Sequence, residues 1–281
     1  MKCINDSMPH LLPARAVLEI SGAEARDYLQ SLVTNDVSRL KAGQAMWAGL
    51  LTPQGRILSD FFILDAAGER FLLDVAADMR DALAQRLAMY KLRRAVEIAP
   101  RDDLAVAAGA VDGALAVFDD PRLAAMGRRA IIPAERAEGL PGDAAACETR
   151  RISLGLPDSQ ADIGSGKLFP HEANFDQLNG VSFTKGCYVG QEVVSRMQHR
   201  GTARNRLLPV SAEAPLTPRM KITGADKPIG EVTSVSGERA IALIRLDRAA
   251  AAIDAGAPLL AGDIPIRLVR PGWASFDVPG A

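Results

Sequence analysis

The stretch Lys185–Val210, KGCYVGQEVVSRMQHRGTARNRLLPV, places a cysteine between two glycines and runs through a helical segment into an apolar run of strand length. Cys187 lies two residues after Lys185 and just before the helical segment, whose N-terminal amides can stabilise a thiolate. Gly186 and Gly190 are equally typical of a strand-to-helix turn in which a small apolar cysteine is buried. The spacing leaves both interpretations of Cys187 open.

Beyond this stretch the sequence consists of short apolar runs separated by proline, glycine and aspartate. The runs are RLLPVSA, RMKIT, IGEVTSVS, RAIALIRL and IPIRLVRP. Such a series is typical of a small antiparallel β-barrel. We therefore predict a domain boundary near Ala203, with a C-terminal β-barrel domain over residues 204–281 and a larger region over residues 1–203.

The larger region alternates helical and strand-like segments. Residues 21–40 are amphipathic and begin with Ser21 and Glu24 at capping-box spacing, which predicts a helix. Apolar runs of strand length follow, and residues 78–90 predict a second helix because apolar side chains recur there at helical spacing. Residues 148–180 combine few periodic apolar residues with many turn formers, which predicts an ordered functional loop.

Composition bounds the class of protein. The chain has 281 residues, 48% of them hydrophobic, and a formal net charge of -1, so it can bury a large core and any polyanion site must be a local patch. Its three cysteines, Cys3, Cys147 and Cys187, are far apart, which argues against a disulfide framework or a structural zinc site. No segment has the pattern of a signal peptide or a membrane span, so we expect a soluble, cytoplasmic protein without a membrane partner.

Two further patterns are candidate sites. Five potentially basic groups fall within eleven residues and can form a local anion or RNA site, or only a solvated face. They are Arg196, His199, Arg200, Arg204 and Arg206. Asp60 lies immediately before an apolar run, so we expect its carboxylate to be desolvated and either paired or harder to ionise, although a capping role explains it as well.

Two enzyme classes receive less support from the residues. Gly164–Lys167, GSGK, is similar to part of a P-loop, but Ala161 and Leu168 occupy the positions of the first glycine and of the Ser or Thr, which excludes a nucleoside triphosphate site. A cysteine hydrolase built on Cys187 needs a histidine base, and spacing does not exclude His171. The chain's histidines are His10, His171 and His199.

The quoted stretch closely resembles the signature of the YgfZ-type folate-binding proteins, which are relatives of the glycine-cleavage aminomethyltransferase, or T-protein. The signature Lys-Gly-Cys-aromatic-x-Gly-Gln-Glu is met by Lys185, Gly186, Cys187, Tyr188, Gly190, Gln191 and Glu192. Upstream, FPHEAN, GVSF and YLQSLVTNDVSRLKAGQAMWAGLLTPQGRILSDFFIL are similar to the same family. The resemblance implies an α+β, three-lobed, aminomethyltransferase-like folate-binding fold with a small C-terminal antiparallel β-barrel, in which residues 1–203 form two interleaved α+β lobes.

The same resemblance implies a function. It is that of a tetrahydrofolate-binding protein that supports iron–sulfur cluster assembly or repair and, through iron–sulfur enzymes, tRNA modification. Cys187 and Asp60 are then the candidate catalytic residues, and Asp60, Glu172 and Arg196 the candidate folate-binding residues. The implied partners are folate and iron–sulfur proteins or their assembly factors, with direct tRNA binding as a weaker expectation. No metal site is specified, because one cysteine without clustered ligands cannot hold a cluster alone.

The chain departs from the T-protein pattern at two positions. Ser59 precedes Asp60 where T-proteins have an Asp-Asp pair, and Ser153 stands in place of a pterin-binding glutamate. A folate-dependent aminomethyltransferase, with Asp60 orienting the folate amine, is therefore only an alternative. An RNA-binding module, or a protein that only scaffolds its partners, are the others.

Overall fold

The computed structural model describes residues 8–67, 69–201 and 203–281. The chain forms two compact units, each built from two stretches of sequence. The first unit consists of Met1–Ala144 and Leu178–Gln191, and the second of Ala145–Gln177 and Glu192–Ala281. Cys3 lies outside the described residues.

Helices are short, and their bounds are as follows. The α-helices of the described ranges are α1 (Ala25–Leu32), α2 (Arg80–Lys91), α3 (Ala144–Ser153), α4 (Gln191–Arg200) and α5 (Leu246–Asp254). Single turns of 3₁₀-helix occur at Val37–Arg39, Ala77–Met79, Ala124–Met126 and Ala134–Arg136, and one π-helical turn at Ser159–Ile163.

The first unit contains two antiparallel sheets. Its strands are β1 (His10–Leu11), β2 (Arg15–Ser21), β3 (Ala45–Leu51), β4 (Ile57–Asp65), β5 (Arg70–Ala76), β6 (Glu97–Pro100), β7 (Leu104–Ala108), β8 (Ala116–Asp119) and β9 (Arg128–Pro133). One sheet has the order β3-β4-β5-β2-β6, and the other has the order β1-β7-β9-β8.

One face of the five-stranded sheet carries the core of this unit. Helix α1 buries Ala25, Tyr28, Leu29 and Leu32, which recur at i, i+3, i+4 and i+7 and so form one apolar stripe. This stripe packs with α2 and with the inward side chains of the sheet in a single cluster. The Tyr28 hydroxyl donates a hydrogen bond to the Leu87 carbonyl, which joins α1 to α2.

The opposite face of the same sheet is polar and aromatic. In β4, Asp60 and Phe62 alternate with core residues, as side chains of a strand must. Phe62 pairs with Trp47 of β3 on one side and with Asp74 of β5 on the other, so the three side chains lie in one row across the sheet.

The second unit is built on a closed β-barrel. Its strands are β10 (Asn205–Ala212), β11 (Lys221–Gly224), β12 (Lys227–Ser236), β13 (Arg239–Arg245), β14 (Leu259–Ala261) and β15 (Ile264–Leu268), in the order β10-β13-β12-β11-β14-β15. Every pair in this ring is antiparallel, and closure leaves no unpaired strand edge. Gly224 allows α5 to approach, because a Cβ there would lie 2.9 Å from the Ala252 Cβ.

Asp162, in the π-helical turn, ties α3 to the barrel. Its carboxylate is buried and accepts hydrogen bonds from Arg151 (2.8 Å), Thr233 (2.5 Å) and Ser234 (2.6 Å), and from the Asp158 amide (2.7 Å). The charge of Asp162 is thus paired, as a buried carboxylate requires.

Two sequence predictions are wrong in extent. The helix predicted over residues 21–40 reduces to α1, because Ser21 pairs in β2 and the Glu24 carboxylate accepts from the Ala95 amide instead of closing a capping box. The loop predicted over residues 148–180 begins inside α3, where Arg151 and Ile152 are buried and stabilise a helix that its weak periodicity did not indicate. Among the described residues, no helix is long and apolar enough to cross a membrane.

Candidate functional site

Lys185 holds the signature loop against the end of α1. Its ammonium group donates hydrogen bonds to the carbonyl oxygens of Gln30 (2.8 Å), Val33 (2.6 Å) and Asn35 (2.8 Å). These carbonyls lie at the C-terminal end of α1 and in the turn after it, where a helix leaves carbonyls without internal partners and its dipole is negative. We call this arrangement the lysine clamp.

Burial changes the acidity of the clamping group. The Lys185 residue is 7% exposed, and this burial lowers the pKa of its ammonium to about 8. At neutral pH the group therefore keeps its proton and all three donors, which match the three carbonyl acceptors. Because these donors are in use, Lys185 positions the loop and does not hydrogen-bond the thiolate of Cys187.

Other bonds join the same two segments of the first unit. The Thr34 hydroxyl donates to the Gly180 carbonyl (2.6 Å), and the Ser182 amide donates to the Thr34 carbonyl (3.0 Å). The Asn35 side-chain amide donates to the Asn179 carbonyl (2.7 Å). The turn after α1 and the signature loop therefore form one hydrogen-bonded body.

Cys187 is the exposed member of this body. Its neighbour Tyr188 is buried beneath the clamp, with the Lys185 ammonium 5.1 Å from the centre of its ring. Burial raises the pKa of the Tyr188 phenol, so that side chain stays neutral. Gly190 has a φ of +81°, and a Cβ there would lie 2.5 Å from the Thr52 carbonyl oxygen, so only glycine fits. The loop is fixed on both sides of Cys187, and the expectation of a buried, inert thiol does not apply.

The end of the signature leads into α4. The Tyr188 amide donates to the Gln191 side-chain oxygen at 3.4 Å. Glu192 pairs with Arg196 one turn later at 2.8 Å, and both side chains are exposed. This pair is typical of a solvated helix face and is worth only a few tenths of a kcal/mol, roughly 0.3–0.5.

Asp60 lies on the polar face of the five-stranded sheet. The residue is 4% exposed, and one of its carboxylate oxygens accepts a hydrogen bond from the Trp47 indole at 2.9 Å. The residue opposite it in β3 is Gly49, which contributes no side chain to that face. The carboxylate is thus buried and paired, as the sequence predicted.

Arginines that sequence analysis missed surround this carboxylate's neighbours. The guanidinium groups of Arg15, Arg122 and Arg129 lie 5.7, 5.0 and 4.4 Å from the centre of the Phe62 ring. Arg15 and Arg129 both bond Asp74 and hold the pKa of its buried carboxyl below its usual value, against the effect of burial. No local pattern signalled this layer, because its members come from five separate strands or turns.

Glu172 and its neighbours belong to the second unit. The Glu172 carboxylate accepts from the Phe169 amide (2.9 Å) and from the Asn205 side chain (2.8 Å), which anchors its turn to β10. The preceding His171 is buried, bonds Gln198 at 3.0 Å, and has a pKa lowered by burial.

The basic run does not form one cationic face. Arg206 is buried, and it pairs with Asp176 at 2.6 Å and donates to the His171 carbonyl. Arg196 is paired with Glu192, which leaves His199 and Arg200 as exposed basic groups at the end of α4. Within the described ranges, no group of three or more His, Cys, Asp or Glu side chains is arranged to hold a metal ion.

Comparison with known proteins settles the fold. Residues 15–116 match the GCVT N-terminal domain, and residues 204–276 match the C-terminal β-barrel domain of CAF17. The glycine cleavage system aminomethyltransferase T of Bartonella henselae superposes with a TM-score of 0.74 at 17% sequence identity, covering 96% of this chain and 87% of that one. The predicted aminomethyltransferase-like fold with an antiparallel C-terminal barrel is confirmed.

Relatives in sequence are more specific. The mitochondrial iron–sulfur cluster assembly factor IBA57 of Mus musculus is 31% identical over 273 residues, which cover 83% of this chain and 76% of that protein. The human protein of the same name is 34% identical over 272 residues, with the same coverage. The cytoplasmic assignment made from the sequence is wrong, since the names of these relatives point to mitochondria instead. On this similarity, the chain belongs to the CAF17/IBA57 family of iron–sulfur cluster assembly factors.

Proposed function

We propose that this protein is a tetrahydrofolate-binding factor that supports the assembly or repair of iron–sulfur clusters and uses the thiol of Cys187. The observation that carries the proposal is the exposed cysteine on a loop that the lysine clamp and Gly190 hold in place. A fixed, accessible thiol is suited to contact a cluster, a persulfide or a partner cysteine.

One thiol does not complete a cluster site. An iron–sulfur cluster takes about four thiolate or imidazole ligands, so the remaining ligands must come from a partner. The proposed partners are therefore iron–sulfur proteins or their assembly factors, as the names of the relatives suggest. tRNA modification would follow indirectly, through iron–sulfur enzymes, whereas direct tRNA binding has little support from a basic run whose members are partly paired.

The polar face around Asp60 is the proposed folate site. A pterin ring presents N–H donors and a flat aromatic surface, and this face offers a buried carboxylate beside the rings of Trp47 and Phe62. The residues present therefore fit the group. Bound tetrahydrofolate would supply one-carbon chemistry, and Asp60 would orient its ring.

The other proposed folate contacts are Glu172 and Arg196, which already have partners in the second unit. The signature motif supports placing the chain with the YgfZ-type members of its family. We also keep residues 1–203 and 204–281 as the proposed folate-binding region and barrel domain.

Two measurements test the proposal. Loss of the gene should lower the activity of iron–sulfur enzymes in cell extracts, and a plasmid copy should restore it; unchanged activities would contradict the assembly role. Calorimetric titration with tetrahydrofolate should show saturable binding to the wild type and to the exposed control Asp27→Asn. Asp60→Asn keeps an acceptor for the Trp47 indole but removes the charge, and should lose binding with an unchanged fold.

A further inference from the structure

The end of α2 presents two large apolar side chains to solvent. Leu92 is 86% exposed and Met89 is 68% exposed, whereas Leu83 and Leu87 of the same helix are buried in the core. Neither Met89 nor Leu92 therefore contributes to the packing of the first unit. We call Met89 and Leu92, with the cations described below, the α2-end patch.

Leu92 occupies a backbone conformation that suits glycine. The Arg94 amide donates to the Lys91 carbonyl at 3.0 Å, which closes a turn with Leu92 at its second position. There Leu92 has φ 51° and ψ -115°, close to the first central residue of a type II′ turn, where glycine is strongly preferred. A leucine that strains the turn and is not buried has no evident role in folding, and strain of this kind is concentrated at functional sites.

The apolar side chains are surrounded by cations. Arg86, Lys91 and Arg93 form no hydrogen bond or ion pair with any residue in the described part of the chain. Arg94 lies 5.9 Å from the centre of the Tyr28 ring. Glu24, the acidic group beside Leu92 and Arg93 in the same surface concavity, is engaged by the Ala95 amide at 2.6 Å.

We infer that the α2-end patch binds an acidic protein surface, with Leu92 inserted at the centre and the cations around it. An apolar centre that includes methionine, with a charged rim containing arginine, is typical of protein–protein interfaces. Unpaired cations complement an acidic partner and speed its approach. The inference deepens the proposed function, on which it rests: the partner is a protein that carries or receives an iron–sulfur cluster.

The composition of the patch disfavours other occupants. Single-stranded nucleic acid is held by aromatic side chains that stack on bases, and the exposed apolar residues here are aliphatic. A membrane surface requires a continuous apolar helix face, whereas α2 exposes Met89 and Leu92 only at its end. Two anchors form a small interface, so we expect a transient complex.

The test separates binding from folding. Leu92→Gly relieves the turn and removes the anchor, and Arg93→Glu reverses one rim charge. The matched controls are Arg93→Lys and Leu115→Ala, the latter at an exposed leucine elsewhere in the first unit. Each variant is titrated with the purified iron–sulfur scaffold and carrier proteins of the same cell, at low and high salt, and with bulk tRNA and anionic lipid vesicles.

At least one scaffold or carrier protein should bind the wild type, with an affinity that falls as salt rises. Leu92→Gly and Arg93→Glu should weaken this binding about tenfold or more, as loss of an interface anchor does, while both controls bind as the wild type does. The inference is overturned if none of these proteins binds, if the two variants bind as tightly as the wild type, or if tRNA or vesicle binding is what they lose. Iron–sulfur enzyme activities in a strain that lacks the gene distinguish the two proposals. Absence of a defect rejects the proposed function, whereas full rescue by Leu92→Gly and Arg93→Glu rejects only the patch.

Discussion

Replacing Lys185 by methionine should destabilise the first unit without changing its fold. Methionine keeps the length of the side chain but removes the three hydrogen bonds to the carbonyls of Gln30, Val33 and Asn35. A hydrogen bond that involves a charged group contributes about 1.5–3 kcal/mol, and a buried acceptor left without a partner costs about 1–3 kcal/mol. Release of the ammonium from burial offsets part of this loss, as its lowered pKa indicates. We therefore expect a net loss of roughly 2–4 kcal/mol in the free energy of unfolding.

Urea unfolding followed by tryptophan fluorescence measures this loss. The chain has two tryptophans, and a Trp273→Phe background leaves only the buried Trp47, which lies in the first unit. Lys41→Met is the matched control, because Lys41 is exposed and its replacement should change stability by no more than about 0.5 kcal/mol. Equal midpoints for Lys185→Met and Lys41→Met would refute the idea that the clamp holds the loop.

Three further predictions concern stability. Leu92→Gly should leave the melting temperature unchanged or raise it, because relief of about 1–3 kcal/mol of backbone strain outweighs the roughly 0.5–1 kcal/mol entropic cost of glycine; a clear fall would show that Leu92 supports the fold. Asp162→Asn should cost about 3–5 kcal/mol, since it leaves Arg151 buried without its charge partner, and a loss below about 1 kcal/mol in calorimetry would contradict the network described for the second unit. The unfolded state binds more protons than the folded state at His171, so wild-type stability should fall as pH drops below 6.5; His171→Asn should show a shallower fall, and identical pH profiles would exclude this cause.

The barrel was predictable because its information is local. Each strand is a short apolar run ended by proline, glycine or aspartate, and β10, β12, β13 and β15 fall within runs recognised from the sequence. Strands β7, β8 and β9 were missed because their segment is rich in alanine, which has no strong preference for a strand. The extent of α1 was misjudged because pairing of Ser21 in β2 overrides the capping pattern.

The candidate site was only partly predictable, because its contacts are distant in sequence. The signature motif drew attention to Cys187, and its exposure supports a chemical role. The role of Lys185 was hidden, since its carbonyl partners lie at least 150 residues earlier in the chain. The pairing of Arg129 with Asp74 spans 55 residues and follows from the meeting of two sheets. Such contacts depend on tertiary structure, which no local pattern encodes.

The most direct test of the central claim is a comparison of Cys187→Ala with Cys147→Ala in a strain that lacks the gene. Both variants remove one thiol, but Cys187 is exposed on the clamped loop, whereas Cys147 is half-buried in α3. With equal protein levels, Cys147→Ala should restore iron–sulfur enzyme activities to those of the wild type, and Cys187→Ala should leave them at the level of the empty strain. Full rescue by Cys187→Ala would contradict the account, because the loop would then be held in place for a purpose other than its thiol.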